Sequence, residues 1–456
     1  MSSRLSGLLA STVLAALTPA HAADLGGNCC ADLEERIAEL EATTARKGNR
    51  KVSLTISGWV AQQVTFWDDG RTKNAYVGDA GDSLASHVTF SGEAKISADW
   101  SAGYVLYIEA ISNEAILLNQ KSDNASNAKA VNVYQSFWFL KSKQLGQLSL
   151  GQQSGAADNQ AFLVDGSGSS VPANFVMFDN SSFFLVRNNA AKSYSTTNWG
   201  SLASCGNLQG AALAADCEGI PTNNVKYDTP VLGGFSASAS WGENDAWAVS
   251  GRYAADYTTY KVAAAIAYFD TTDNAIDAFG LALGQPTTFG GPSYRRHAGA
   301  LQTAGYIQHK PTGLFLYGVY AKDFNGDILS PAEIAAYGAK RDADDFYIKA
   351  GIRQKWTTLG HTVLYGEYGE NNDKTTVALH AGGVTGSNIT QWGVGLVQDI
   401  DAAAMQTWLI YRNFSAEQSC KVGATNADCV AGVAGKAGKV GFQDIDIFKV
   451  GGLITF

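Results

Sequence analysis

The sequence predicts an all-β protein whose strands close into a 16-stranded antiparallel transmembrane β-barrel. Two observations predict this class: from Lys51 onward apolar and polar residues alternate with a period of two, and the connections between these segments are short and long in turn. Successive strand residues point to opposite faces, so that one face can meet lipid and the other water. Closure is needed because an open sheet edge in a membrane would leave backbone groups without hydrogen bonds.

Sixteen segments carry this alternation. They are 51–67, 86–100, 103–113, 130–140, 145–152, 222–229, 233–241, 246–255, 257–269, 295–309, 313–323, 344–356, 359–371, 388–399, 402–414 and 444–456. Short turns such as 310–312 are followed by long polar loops such as 324–343, with one exception, the short connection Gly242–Asp245. Tight turns at one end and long loops at the other are typical of bacterial outer-membrane barrels, whereas a soluble sandwich gives no reason for this order.

The last strand is the clearest of these segments. Phe448, Val450, Ile454 and Phe456 fall on one parity, and Lys449 falls on the other. We expect the apolar parity to face lipid, and the strand to pair with the first one and close the barrel. These four residues would also form the assembly signal. The alternative is an ordinary half-buried strand at the end of a soluble domain.

The segment 86–100 has the most regular alternation. Its even-numbered residues from Val88 to Trp100 are apolar, and its odd-numbered residues are polar. We expect Ile96 to lie within this strand on its lipid face, and a turn at Ser101–Ala102 to follow Trp100. Aromatic residues at strand ends are typical of the belts that mark the two membrane interfaces.

The composition agrees with a large β-protein outside the cytoplasm. The chain has 456 residues, of which 11% are aromatic and only 16% are charged, with a formal net charge of -9. The acidic balance argues against a nucleic-acid partner. After the N-terminus no apolar run is long enough for a transmembrane helix. The sequence therefore favours neither a helical membrane protein nor a DNA-binding protein.

The N-terminal residues are expected to direct export. Residues 1–22 have a basic residue, an apolar core and an Ala20-His21-Ala22 cleavage pattern, which predict a cleaved signal peptide. The segment 23–50 would remain in the periplasm and contain a short helix at 32–47. That helix either lies on the body of its own subunit or joins a small helical bundle where subunits meet. The domain division is therefore 1–22, 23–50 and a barrel over 51–456.

The cysteines indicate structural bonds. Cys205 with Cys217 and Cys420 with Cys429 each lie within one long loop, and we expect both pairs to form disulfides. No C-x-x-C, H-E-x-x-H, G-x-S-x-G or P-loop pattern occurs, so we expect no metal, no cofactor and no enzymatic activity. A rim enzyme with a serine and a histidine is the alternative that spacing alone leaves open.

Several stretches resemble known sequences in the same order. They are Asn28–Arg36, Leu145–Gln152, Asn224–Pro230, Gly233–Asn244, Gly360–Tyr368 and Ile400–Met405. Together they resemble the general porins, and in particular the porin family of alphaproteobacteria. The resemblance implies a water-filled homotrimeric barrel in the bacterial outer membrane, with its third loop folded inward. It also implies passive diffusion of small hydrophilic solutes and ions, and contacts with outer-membrane lipid, lipopolysaccharide and the barrel-assembly machinery.

The resemblance makes loop 153–221 the constriction. This longest connection contains apolar runs at 161–164, 175–178 and 183–186, which would pack on the inner wall. The loop would set acids against a basic wall patch across the open lumen. The expected constriction residues are Asp158, Asp165 and Asp179 on the loop, and Lys95, Arg252, Lys349 and Arg353 on the wall. The alternatives are charges scattered over a wetted wall, and an external loop packed on the rim or a neighbouring subunit.

Three other functions remain open from the sequence. A TonB-coupled transporter would need a large plug before the first strand, and 23–50 offers no room for one. A channel selective for a sugar or an anion would use the same fold as a general porin. An envelope tether would act through the helix at 32–47. The sequence gives neither the solute nor the ion preference.

Overall fold

The structure is a computed structural model that describes residues 51–81, 84–124, 130–205, 214–271, 297–326 and 328–456. The predicted signal peptide and the predicted helix at 32–47 lie outside these residues. None of the described helices is both long and apolar enough to cross a membrane.

The described residues form twenty strands and four short α-helices. The strands are β1 (Thr55–Asp68), β2 (Lys73–Gly78), β3 (His87–Lys95), β4 (Trp100–Ile111), β5 (Ala130–Ser142), β6 (Gly146–Gln153), β7 (Phe184–Val186), β8 (Tyr194–Asn198), β9 (Thr222–Asp228), β10 (Phe235–Gly242), β11 (Trp247–Asp256), β12 (Tyr260–Thr271), β13 (Ala298–His309), β14 (Leu314–Phe324), β15 (Ala343–Gln354), β16 (Thr362–Asn372), β17 (Val384–Ile400), β18 (Met405–Cys420), β19 (Gly438–Gly441) and β20 (Ile445–Thr455). The helices are α1 (Gln160–Val164), α2 (Pro331–Tyr337), α3 (Val377–Ala381) and α4 (Ala427–Val433).

Sixteen of these strands close into one antiparallel barrel. β1 pairs with β3, each later wall strand pairs with its neighbour in chain order, and β20 returns to pair with β1. β2 extends the sheet beside β1, β19 extends it beside β18, and β7 and β8 form a separate hairpin. The wall strands are β1, β3, β4, β5, β6, β9 to β18 and β20, so each of the sixteen predicted segments is a wall strand.

The closing pair runs from Trp59 opposite Thr455 to Asp68 opposite Asp446. Beyond this ladder, Gly58 N–H donates to Phe456 O at 3.0 Å, and Phe456 N–H donates to Gly58 O at 3.1 Å. The pairing therefore continues to the last residue of the chain. The predicted pairing of the first and last strands is confirmed.

Exposure alternates along the wall as the sequence pattern predicts. On β20, Phe448, Val450 and Ile454 are exposed, whereas Lys449 and Leu453 are buried. We call the face with the exposed apolar residues the outer face, and the opposite face the inner face. A lipid-facing outer side and an inner side that carries the polar residues are what a transmembrane barrel requires.

One predicted turn is wrong. Ile96 N–H and Ser97 N–H both donate to Trp100 O, so the chain reverses at 96–99 and Trp100 begins β4. The predicted turn at Ser101–Ala102 instead lies within the β3–β4 ladder, where Ala102 pairs with Ala94. The reason is local: Ser97 accepts from the N–H groups of Asp99 and Trp100, which stabilises a turn before the tryptophan. Ile96 is therefore a turn residue.

The two expected disulfides are present. Cys205 bonds to Cys217, and Cys420 at the end of β18 bonds to Cys429 in α4. All four sulfur-bearing residues are buried. Each bond closes a short ring within a long loop, which limits the unfolded chain more than the folded one.

We expect a charged substitution on the outer face to reduce folding of the barrel more than the same substitution on the inner face. Ala264 on β12 is exposed on the outer side, and Ala254 on β11 is exposed on the inner side, where its register partner is Ala263. Ala264→Arg places a guanidinium in lipid, at a cost of about 2–4 kcal/mol near mid-membrane, whereas Ala254→Arg places it in water. We expect a lower yield of folded, heat-resistant barrel for Ala264→Arg in lipid vesicles. Equal yields for the two variants would contradict the assignment of faces.

Candidate channel constriction

Loop 153–221 begins where β6 ends, and its described residues, 153–205 and 214–221, contact the inner face of the wall. Its helix α1 packs on β12 and β13. Ala161 N–H donates to Gln302 Oε1 at 2.6 Å, and Tyr317 O–H donates to Ala161 O at 2.8 Å. The wall offers small inward side chains here, including Ala265 and Ala304, which leave room for the helix. The apolar runs of the loop are thereby removed from water.

Two lysines of the wall hold the loop by buried ion pairs. Lys349 Nζ on β15 lies 2.6 Å from Asp165 Oδ2, and neither side chain is more than 1% exposed. Lys449 Nζ on β20 lies 2.7 Å from Asp179 Oδ2. Each ammonium also donates to a loop carbonyl, Lys349 to Ala173 and Lys449 to Pro172, both at 2.9 Å. These extra hydrogen bonds offset part of the desolvation of the buried charges.

Asp179 also reaches the first wall strand. Gln63 Nε2 on β1 donates to Asp179 Oδ1 at 2.6 Å, while Lys449 on β20 contacts the other carboxylate oxygen. β1 and β20 are the strands that close the barrel. A single loop carboxylate therefore bridges the closing pair from inside.

A third buried pair lies between the two lysines. The Arg412 guanidinium on β18 donates to both oxygens of Glu367 on β16, at 2.5 and 2.8 Å. Arg412 also donates to Asn174 O of the loop at 2.5 Å, and Tyr347 O–H donates to Glu367. Bidentate geometry of this kind fixes both direction and position, and so it fixes the loop near Asn174.

The predicted arrangement of opposed charges across an open gap is wrong for Asp165 and Asp179. Both carboxylates are buried and touch their lysines directly, so no water-filled space separates them. The apolar runs of the loop are buried against the wall, which brings the loop carboxylates into contact with the wall lysines. At contact distance they form ion pairs and leave no gap between them. The pairs act as anchors between loop and wall.

Asp158 has a different setting from the one predicted. It lies at the base of the loop with Asp216 and Glu218, and the carboxyl groups of Asp158 and Asp216 share a hydrogen bond. Asn159 Nδ2 donates to Asp158 Oδ1 at 2.6 Å, and Ala157 N–H donates to Glu218 Oε2 at 2.7 Å. We call Asp158, Asp216 and Glu218 the root cluster.

The root cluster is packed too tightly for a side chain at Gly155. A Cβ atom there would lie 1.5 Å from Glu218 Oε1. The nearby cation is Lys226 of β9, whose Nζ donates to Ser154 O at 2.9 Å. Burial raises the pKa of Glu218 to about 8 and that of Asp216 to about 7, and it raises the pKa of Asp158 as well. At neutral pH the cluster therefore retains protons.

The remaining predicted wall residues are spread out. Lys95 is exposed at the end of β3 beside the 96–99 turn. Arg252 lies half-buried on the inner side of β11, opposite Ser236 of β10 in the register. Arg353 on β15 lies beside the loop, with Nη2 3.4 Å from Asp399 Oδ2. Of the four predicted cations, Lys349 and Arg353 thus meet the loop.

Buried polar contacts also connect the strands at the long-loop end of the barrel. The buried Lys374 Nζ lies 2.6 Å from Asp323 Oδ2 on β14 and 2.8 Å from Asp345 Oδ2 on β15. It also contacts the Cys205–Cys217 disulfide at 3.6 Å. The connection between β16 and β17 is therefore bound to two wall strands and to the disulfide-closed part of loop 153–221.

Sequence reasoning missed several of these residues. Lys449, Arg412 and Glu367 each lie on the inner parity of a predicted strand, and the rule that placed Lys349 inside would have found them. Lys374, Asp216 and Glu218 lie in connections, where no periodicity indicates direction. Their partners come from distant parts of the chain.

The inner wall away from the loop is polar and partly accessible. Its half-buried inward residues include Ser57, Ser91, Gln147, Ser236 and Arg252. Hydroxyl, amide and guanidinium groups can replace part of the hydration shell of a passing solute. The loop on one side and this polar wall on the other can therefore bound an aqueous passage.

Comparisons with known proteins agree with this geometry. A family model described as Gram-negative porin matches residues 10–406. An anion-selective porin from Comamonas acidovorans is 15% identical with a TM-score of 0.50, over 89% of this chain and 100% of that one. The trimer form of OmpT, an outer-membrane protein of Vibrio cholerae, is 12% identical with a TM-score of 0.51, over 89% of this chain and 99% of that one. No curated protein sequence matches the chain.

The two solved structures are too distant in sequence to indicate more than the fold, which is the closed barrel described above. The family model covers most of the chain, including the strands that hold the loop. The chain belongs to the Gram-negative porin family and is an outer-membrane channel for the diffusion of small solutes.

Proposed function

We propose that this porin is a homotrimer in which each barrel passes small hydrophilic solutes and ions through a passage narrowed from inside by loop 153–221. The observation that carries the proposal is the set of buried pairs from Lys349, Lys449 and Arg412 to the loop or its neighbours. Anchors on three wall strands hold the loop in the lumen and not above it. Passage would need no energy input, and pore width and wall charge would set selectivity.

The trimer is supported by the aromatic residues of the outer face at the long-loop end. Exposed or half-buried aromatic residues occur there on β10, β11, β12, β14 to β18, β20 and β1: Trp241, Trp247, Tyr268, Tyr320, Phe324, Phe346, Tyr368, Trp392, Tyr411, Phe448 and Phe66. On β4, β5, β6 and β9 the described outer residues nearest that end are not aromatic, and they include Ala110, Val131, Gln152 and Val225. Aromatic belts form where protein meets the lipid interface. The sector without them is the surface we assign to neighbouring subunits.

Export and assembly belong to the same proposal. A signal peptide at 1–22 would direct the chain out of the cytoplasm. The terminal residues Phe448, Val450, Ile454 and Phe456 would be recognised by the barrel-assembly machinery, since they form an exposed apolar row on the last strand. The outer face would contact lipid and lipopolysaccharide.

Channel activity is tested by adding the purified protein to planar lipid bilayers. We expect stepwise increases in current, each consisting of three equal sublevels, because three barrels insert together. Liposomes should admit small sugars and exclude large ones. Purified, folded protein that gives neither current steps nor sugar entry would refute the proposal.

The Lys349–Asp165 pair can be tested as a loop anchor. Lys349→Met or Asp165→Asn alone leaves a buried charge without its partner, which costs about 3–5 kcal/mol in comparable pairs, whereas removing both charges is close to neutral. We expect frequent brief closures of the channel in each single variant and steady current in the double variant. Closures in the double variant as frequent as in the singles would show that the pair does not hold the loop.

The root cluster predicts a loop that loosens as pH rises. Exposed carboxyls ionise near pH 4, but burial holds the pKa of Asp216 near 7 and that of Glu218 near 8. Because these pKa values are higher in the folded protein than in the unfolded chain, the protonated carboxyls stabilise the packed loop at low pH. This contribution to the stability of the loop is lost as pH rises from about 4 to about 8. In the described part of the chain the cluster faces the cation Lys226 of β9, and Gln302 of β13 also contacts it. We expect closures to become more frequent from pH 5 to pH 9.

Glu218→Gln is the matched control for this pH dependence. The amide cannot ionise, so the upper part of the rise in closure frequency should flatten. Identical pH profiles for wild type and Glu218→Gln would exclude the root cluster as its cause.

A further inference from the structure

We propose that the exit of this channel beneath the loop prefers small anions such as chloride, inorganic phosphate and carboxylates, and that Lys261 is the residue that determines this specificity. The proposal rests on the proposed function, because it assigns an ion preference to the passage that the loop bounds. It starts from the distribution of charge on the inner face and not from the net charge of the chain, which is -9.

Most charged side chains close to the loop are neutralised by an oppositely charged partner in direct contact. Lys349 is paired with Asp165, Lys449 with Asp179, and Arg412 with Glu367, and all six side chains are buried. A buried pair at contact distance has little field outside itself. The carboxylates that the loop brings into the lumen at 165 and 179 are therefore not available to attract cations.

Lys261 differs from these lysines. It lies half-buried on the inner side of β12, and it has no hydrogen bond or ion pair to any residue in the described part of the chain. Its electrostatic neighbours are Arg353, Lys310 and Asp256. Asp256 is already bound by Lys310 at 2.6 Å. The charge of Lys261 is therefore in excess at this place.

The position of Lys261 puts this charge at the edge of the passage. Ala263 is the next residue of β12 on the same inner face, and it packs against the apolar cluster that includes Ala161 and Val164 of α1. Lys261 therefore lies just beyond α1, towards the short-turn end of the barrel. Since α1 packs on β12 next to Ala263 and Ala265, Lys261 faces the lumen that a solute enters after it has passed the loop.

Arg353 adds a second cation to the same region. Its guanidinium lies against Gly168 of the loop, where a Cβ atom would come within 3.0 Å of Nε. Nη2 is 3.4 Å from Asp399, and Nε is buried without a hydrogen-bond partner among the described residues. Among the described residues, Arg353 thus has a donor left over and one carboxylate, that of Asp399, within ion-pair distance.

Lys261, Lys310 and Arg353 are three cations with two neighbouring carboxylates, Asp256 and Asp399, so the region has a positive charge in excess and attracts anions. Close to the protein wall of a narrow lumen the field is less screened than in open water, so a single excess charge changes the local ion concentration. Chloride, phosphate and carboxylates are small enough to pass and can accept hydrogen bonds from the ammonium and guanidinium groups. Cations would be repelled at the same point.

The test is the ratio of chloride to potassium permeability, from reversal potentials of the full-length protein in planar bilayers under a KCl gradient. We expect wild type to favour chloride and Lys261→Gln to lower the ratio about twofold or more, because the excess charge is removed from a narrow passage. Lys261→Glu should lower it further, and Lys261→Arg should keep the wild-type ratio. Inorganic phosphate at millimolar concentration should reduce chloride current in wild type and not in Lys261→Gln.

The matched control is Lys355→Gln. Lys355 is an exposed lysine at the same end of the barrel, 2.9 Å from Asp401, so the variant makes the same change in net charge outside the passage. An unchanged ratio in Lys261→Gln, or an equal fall in Lys355→Gln, would overturn the proposal. These outcomes leave channel activity intact and are distinct from a failure of the proposed function, which would abolish conductance in wild type.

Discussion

The structure depends on closure of the backbone hydrogen-bond ladder between β1 and β20. In hydrocarbon an unpaired edge strand would leave a row of amide and carbonyl groups unsatisfied, and the cost of each is several kcal/mol. The ladder from Trp59 to Asp68 removes that edge, and Gly58 and Phe456 extend it to the chain end. Every other feature, including an interior that can hold water and a loop, exists only because the sheet has no edge.

Closure creates a second constraint, because the same interior must hold both water and an apolar loop. The interior must be polar enough for water, yet loop 153–221 carries apolar runs that need burial. The wall separates the two demands by sector: β12, β13 and β14 present small apolar residues such as Ala265, Ala304 and Ala321 to the loop, while β10 and β11 present serines and Arg252. The loop is thus seated by shape and apolar contact, and buried ion pairs fix its register.

The wall could be predicted from the sequence because a period of two is a local signal. Each of the sixteen segments alternates strongly, and lipid on one side enforces the pattern, as Phe448 and Lys449 illustrate. The turn at 96–99 was misplaced because Ser97, which caps it, lies within an alternation that continues to Trp100. The pairing of Asp165 with Lys349 could not be derived, because proximity across 184 residues depends on how the loop packs.

The bridge from Asp179 to both Gln63 and Lys449 has a consequence for the order of folding. These contacts span 116 and 270 residues, so they form only when the first and last strands are already neighbours. Contacts of such high sequence separation form late, after most loop-closure entropy has been lost. Seating of the loop near Asp179 and completion of the wall are therefore one event, and a barrel that has not joined its ends has no firmly narrowed passage.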